Sequence, residues 1–77
     1  MALTDTFIKQ TKDIGKTFDG GGLYILVKEA GKYWRMDYRF LGKAKTLALG
    51  VYPAVSLAKA RQRRDKAREL LADGIDP

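Results

Sequence analysis

Arg35 and Arg39 stand two residues either side of Asp37 in the run Tyr33-Trp34-Arg35-Met36-Asp37-Tyr38-Arg39-Phe40, and Lys43 and Lys45 follow closely. Successive side chains on a strand point to opposite faces, so this run is two sequences interleaved. Trp34, Met36, Tyr38 and Phe40 make one large, mostly apolar row, and Tyr33, Arg35, Asp37 and Arg39 make a wet one. A guanidinium presents a planar fork of donors that matches a phosphate, or the O6 and N7 atoms of guanine, two bonds at a time. The chemistry on offer is recognition of an anion with a groove wide enough to admit a sheet. The bland alternative is an ion-pair ladder Arg35–Asp37–Arg39 on a solvated surface. Such a ladder is worth only about 0–1 kcal/mol and hardly accounts for the run.

Covalent catalysis has little to work with. The chain has no histidine and no cysteine, so the common general base, the thiol nucleophile and most transition-metal ligand sets are missing. The acids are scattered over turns and helix, with no pair placed for acid–base work. Gly15-Lys16-Thr17 imitates the end of a phosphate-binding loop, but that motif needs a glycine where Gln10 stands. Gly20-Gly21-Gly22 fails the dinucleotide pattern, because Ile25 occupies the third glycine's place and a strand follows. No enzyme activity, cofactor or metal is expected of this chain.

The formal charge of +6 on 77 residues favours a polyanion as partner. Its distribution is more informative. Met1 to Gly31 carries four lysines against four acids, Lys32 to Pro53 five bases against one acid, and the remainder six bases against four acids. The positive charge concentrates on the strands and on the first half of the helix that follows. One domain spanning 1–77 is expected, near the lower size limit for a self-sufficient core. No apolar run approaches the roughly 20 residues needed to span a bilayer. Met1-Ala2-Leu3-Thr4-Asp5 has none of the regions of a signal peptide. A cytoplasmic protein, or part of one, with no membrane partner is expected.

The elements that must position the bases follow from periodicity and turn residues. Leu3 to Lys12 reads as a short helix capped by Thr4 or Asp5. Leu23 to Lys28 is a strand with Leu23, Ile25 and Val27 on one face. Glu29-Ala30-Gly31-Lys32 turns the chain into the long strand Tyr33 to Phe40, and Leu41-Gly42-Lys43 turns it again into Ala44 to Gly50. Ser56 is a good N-cap for one long helix, Leu57 to Ala72, with Gly74 as its stop. The fold class is therefore α+β: a three-stranded antiparallel sheet, with room for a short extra strand at Phe18-Asp19, packed on the C-terminal helix, plus a short N-terminal helix. Trp34, Tyr38, Phe40, Leu47 and Leu49 are assigned to the core. One helix covers one face of a sheet. The other face, with Tyr24, Lys28, Tyr33, Arg35, Asp37, Arg39, Ala44, Thr46 and Ala48, is expected to stay open.

The candidate DNA-binding residues are Lys28, Tyr33, Arg35, Arg39 and Thr46 on that face. Lys43, Lys45, Arg61 and Arg64 are assigned to the phosphate backbone. The other bases of the helix serve equally well to solvate it, pairing with Asp65 or Glu69 at helical spacing.

Five spaced motifs carry a family resemblance. Asp19-Gly20-Gly21-Gly22-Leu23-Tyr24, Tyr33-Trp34-Arg35, Lys45-Thr46-Leu47-Ala48-Leu49-Gly50, Tyr52-Pro53 and Ser56-Leu57-Ala58-Lys59-Ala60-Arg61 fall in order across almost the whole chain, before the closing Gly74-Ile75-Asp76-Pro77. Together they resemble the N-terminal, arm-type DNA-binding domain of tyrosine-recombinase integrases from prophages and genomic islands. The resemblance implies an antiparallel sheet on a C-terminal helix that binds arm-type sites on the element's double-stranded DNA, in DNA integration and excision. It also implies that the catalytic residues lie in later domains, with a linker beginning at Asp76-Pro77. Position 59 departs from the family's pattern: Lys59 stands where a glutamate often completes a capping box with the serine. The rival expectation is a protein–protein interaction module docking other integrase subunits or an accessory directionality factor. Single-stranded RNA is disfavoured, because the open face lacks paired stacking aromatics.

Overall fold

In the computed structural model, which describes residues 3–77, the chain runs α1 (Asp5–Gln10), β1 (Gly15–Gly20), β2 (Leu23–Lys28), β3 (Gly31–Phe40), β4 (Lys43–Tyr52) and α2 (Leu57–Ala72). The strands form one antiparallel sheet in the order β1-β2-β3-β4. The sheet thus has four strands where the sequence supports three with an optional extra. The segment Lys16-Thr17-Phe18-Asp19 between two glycines has no apolar alternation to announce a strand. It becomes one because β2 offers a free edge, with pairing from Gly15 opposite Val27 to Gly20 opposite Leu23. The helix α1 is shorter than the expected Leu3 to Lys12. The Thr4 hydroxyl accepts from the Phe7 N–H at 3.2 Å and so starts the helix after Leu3, and extended Thr11 closes it.

The hairpins are tight. Leu41 and Gly42 both have positive φ, 51° and 77°, the backbone signature of a two-residue turn matched to strand twist. At Gly22 (φ 88°) an added Cβ would overlap the Asp37 carbonyl oxygen. That close approach lets the Asp37 N–H donate to the Gly22 carbonyl at 3.0 Å and stitches β3 to the β1–β2 turn.

Leu23 and Ile25 of β2, Trp34 and Met36 of β3 and Leu49 of β4 form the sheet's side of the core; Ile8, Val55, Leu57, Ala60 and Ala67 close it from above. The small Ala60 and Ala67 let α2 approach the sheet closely, as their spacing predicts. Trp34 is fully buried, and its indole N–H donates to the Val55 carbonyl at 2.7 Å. Tyr38 and Leu47 are half-buried and pack against this core, whereas half-buried Phe40 does not join it, a correction to its core assignment. A ten-residue β3 is roughly 33 Å long and a sixteen-residue α2 about 24 Å, so the far end of the hairpin outruns its cover.

Two bulges redirect side chains. The β1–β2 register skips between Phe18 and Gly20, and the β3–β4 register skips between Trp34 and Arg35, opposite Leu49. Each extra residue, Asp19 and Leu49, is buried on the helix side. The ends of α2 are those the sequence indicates. Ser56 Oγ accepts from the Lys59 N–H at 3.2 Å. Gly74 (φ 77°) follows the last turn, with its N–H on the Leu71 carbonyl at 3.0 Å and the Ile75 N–H on the Leu70 carbonyl at 2.8 Å.

Candidate nucleic-acid interface

Register decides which bases share a surface. Tyr24 pairs with Arg35, Leu26 with Tyr33 and Lys28 with Gly31 across β2–β3; Arg35 pairs with Ala48, Asp37 with Thr46 and Arg39 with Ala44 across β3–β4. Cross-strand partners lie on the same face. Lys28, Tyr33, Arg35, Arg39 and Thr46 therefore gather on the side away from α2, together with Asp37, as the alternation predicts. Lys28 stands 5.7 Å from the Tyr33 ring centroid, a cation–π contact that keeps its ammonium near the surface plane. Along β4 this face carries Ala44, Thr46 and Ala48 and, past the bulge, Val51 opposite Tyr33, so the surface is low beside Arg35 and Arg39.

Asp37 is not part of an ion-pair ladder. Among the described residues no cation lies within ion-pairing distance of it. Its Oδ1 instead accepts from the Thr46 hydroxyl at 2.9 Å. Tyr24 corrects another expectation: it belongs to the outer face yet is only 2% exposed. Phe18 of β1 packs on its ring at 5.0 Å between centroids, and the Lys16 ammonium sits 4.9 Å above it. Burial first, and then the Asp37 carboxylate beside it, push the Tyr24 phenol above its ordinary 10.0. Tyr24 is thus a brace under the face and offers no docking surface.

Lys16 and Phe18 are functional candidates that the sequence did not yield. With β1 taken as a brief strand at Phe18-Asp19, Lys16 had no face. Their pairing with Leu26 and Tyr24 puts both on the outer side. The signal was a single alternation, Lys16 and Phe18 around Thr17, too short to read alone.

The helix bases are placed differently. Bulged Asp19, its side chain 2% exposed, accepts from Arg61 Nε at 3.0 Å, Arg61 Nη2 at 2.8 Å, Arg64 Nη1 at 3.1 Å and the Leu3 N–H at 2.7 Å. The Arg61 hydrogen bonds outweigh the cost of burial and hold the carboxyl below its ordinary 3.8. Arg63 donates to the Leu49 carbonyl at 2.6 Å and Arg68 to the Gly21 carbonyl at 3.3 Å. The arginines of α2 thereby tie the helix to the two bulges and to the triple-glycine turn. Lys43 and Lys45 pair with Phe40 and Tyr38, on the helix side of the sheet. Lys45 is joined to Asp76, which also accepts from the Tyr38 hydroxyl at 2.6 Å. Those two bonds, Lys45 first, hold the Asp76 carboxyl below its ordinary 3.8. The structure therefore brings Lys28, Tyr33, Arg35, Arg39 and Thr46 together and sets Lys43, Lys45, Arg61 and Arg64 on the other side. Gly15-Lys16-Thr17, the look-alike of a phosphate loop, lies within β1.

A basic sheet face whose cations have no acidic partner among the described residues, backed by a helix whose arginines are bound internally, suits a polyanion. Comparison with known proteins makes the class specific: the chain belongs to the arm DNA-binding domain family, whose model matches residues 3–77. Its relatives are phage and prophage proteins. It is 48% identical over 83 aligned positions to the integrase of Enterobacteria phage P4, covering 100% of this chain and 19% of that protein. It is 46% identical over 81 positions to prophage integrase IntA of Escherichia coli (strain K12), covering 97% of this chain and 20% of the relative. Putative protein IntB of the same strain is 61% identical over 56 positions, 71% of this chain and 14% of IntB. The chain thus spans about a fifth or less of the relatives it matches. The resemblance read from the five motifs is a family membership, and DNA is the partner that the family's description gives. No helix among the described residues is long and apolar enough to cross a membrane.

Proposed function

We propose that this chain is the N-terminal domain of a longer phage-type integrase and binds double-stranded DNA at arm-type sites during integration and excision, with the outer face of its sheet in the major groove. The observation that carries this is the division of the cations. Lys16, Lys28, Arg35 and Arg39 have no acidic partner among the described residues, whereas Arg61 and Arg64 are held by Asp19. Free guanidinium groups on a surface cost desolvation when they bind and are repaid only by an anion. Dimensions agree. Three strands at about 4.8 Å spacing measure roughly 10 Å between the outer backbones, against a major groove about 12 Å wide. The strands β2–β4 fit. The edge strand β1 then rides at the groove's lip, where Lys16 meets phosphate and Arg35 and Arg39 reach the base edges.

The test is a fluorescence titration against the mobile element's end sequences and a scrambled duplex at several salt concentrations. With Lys16 and Lys28 on phosphates and Arg35 and Arg39 adding up to two more, log K falls against log salt with a slope of about −2 to −4. Arg35→Ala/Arg39→Ala should lose the preference for the specific duplex. Affinity that ignores salt, or survives that double substitution, removes the proposal.

The interaction-module reading has a narrower basis. An apolar groove beside α2, lined by Leu47, Leu49, Ala67 and Leu70, opens next to Pro77. It lies opposite the basic face, so docking another integrase subunit or a directionality factor there is compatible with DNA binding. Concentration-dependent association without DNA, abolished by Leu70→Glu, is its sign.

A further inference from the structure

Among the described residues Asp37 is the one acid on the outer face and has no cationic partner, and such a carboxylate on a DNA-facing surface repels phosphate. Its position is nevertheless built. It is half-buried, the Thr46 hydroxyl fixes Oδ1 at 2.9 Å, and the braced Tyr24 ring lies beside it. Neither Arg35 nor Arg39 neutralises it, although both flank it on the same strand face. With Lys16, Arg39, Ala44 and Thr46 it lines a shallow depression in the face. A carboxylate accepts about four hydrogen bonds, and Thr46 supplies one, so acceptor capacity remains directed at whatever enters.

The major groove offers a carboxylate only two kinds of donor, the N6 amino group of adenine and the N4 amino group of cytosine. On adenine the amino group is flanked by N7, a lone pair that opposes a second carboxylate oxygen. On cytosine it is flanked by the C5–H edge, which opposes nothing. Everywhere else in the groove the carboxylate meets acceptors or methyl groups and is repelled. We propose that Asp37, positioned by Thr46 in the depression of the outer face, is a base-reading residue that accepts a hydrogen bond from a cytosine N4 amino group. The low row Ala44, Thr46 and Ala48 admits the base edge, and Arg35 and Arg39 supply the affinity that the carboxylate costs. Asp37 thus converts a generally basic surface into a selective one. The proposal rests on the outer face lying in the major groove.

The experiment selects bound sequences from a pool of duplexes with a randomised centre, using the 77-residue chain and its Asp37→Ala, Asp37→Asn and Arg35→Ala/Arg39→Ala forms. Thermal melts confirm folding, and Asp37→Asn keeps the shape and the Thr46 bond. The wild-type motif should contain a cytosine position that Asp37→Ala flattens by about fivefold or more, while overall affinity for the pool stays equal or rises. Asp37→Asn should move the preference toward adenine, whose N6 and N7 match an amide. A motif identical in wild type, Asp37→Ala and Asp37→Asn overturns the role of Asp37. If the arginine form also loses binding in that case, the major-groove reading stands without it. Undiminished binding by the arginine form overturns both.

Discussion

Removing the Asp19 carboxylate tests whether the helix arginines serve the fold. Asp19 is contacted by three guanidinium hydrogen bonds at 2.8–3.1 Å and by the Leu3 N–H at 2.7 Å. A hydrogen bond to a charged group nets about 1.5–3 kcal/mol, but burying the carboxylate costs several kcal/mol in return. After Asp19→Ala the arginines regain water, because Arg61 is 36% and Arg64 18% exposed at the side chain. The Leu3 N–H loses its partner. The net expected loss is about 2–3 kcal/mol, which for a domain of this size lowers Tm by about 10–20 °C. Arg61→Ala leaves the buried carboxylate with Arg64 as its one guanidinium, beside the Leu3 N–H, and should cost at least as much. Because both act on one cluster, the double variant should cost little more than the larger single one, a coupling of about 1–2 kcal/mol. Thermal melts followed by Trp34, the sole tryptophan, measure all three. Losses that add to within about 0.5 kcal/mol would refute the clamp.

The same carboxylate gives a pH signature. Its folded pKa lies below the ordinary 3.8, so the unfolded chain takes up a proton first as acid is added. The stabilisation is complete above the ordinary value and is lost as pH falls through the folded one. Wild type should therefore lose stability below about pH 4, and Asp19→Asn should lose less. Asp76, lowered by Lys45 and Tyr38, acts with the same sign but is present in both proteins, so the difference isolates Asp19.

Three further outcomes follow from single positions. Arg61→Ala, assayed well below its melting temperature, should leave the salt slope of DNA binding unchanged, whereas a lost phosphate contact reduces it by about 1. Gly22→Ala should lower stability by about 2 kcal/mol or more, since φ is 88° and its Cβ overlaps the Asp37 carbonyl, a backbone atom that cannot yield; a melt within a degree or two of wild type contradicts this. Leu41 holds φ 51° at the hairpin tip while 86% exposed, so Leu41→Asn should relieve strain and raise Tm by several degrees, as measured by the same melts.

How much was legible in the chain varied with the range of the interaction. The alternating run from Tyr33 to Phe40 separated the Trp34 and Met36 side from the Arg35 and Arg39 side, because a strand's period is a local property of its backbone. Ser56 and Gly74 marked the ends of α2, because caps act within one turn. The family motifs were readable for the same reason: turns, caps and alternation recur at fixed short spacings. The first strand was not legible, because an edge with one row of partners tolerates Gly15-Lys16-Thr17-Phe18 without demanding an apolar pattern.

The division of the cations was beyond the sequence. Arg35 and Arg61 are the same residue type in comparably basic surroundings, yet one is left unpaired and the other is bound to Asp19, 42 residues away. The fold makes that pairing: alternation along β1 puts Asp19 on the helix side, opposite to Lys16 and Phe18, and only the packing of α2 lays Arg61 and Arg64 against it. Tyr24 was likewise placed on the right face but with the wrong exposure, since its cover, Lys16 and Phe18, comes from the strand the sequence underread. The sequence by itself determined that the chain has a dry face and a basic face. Only the tertiary structure decided which bases remain on the open face, because charge belongs to a residue while its neutralisation depends on what the fold brings within about 3 Å.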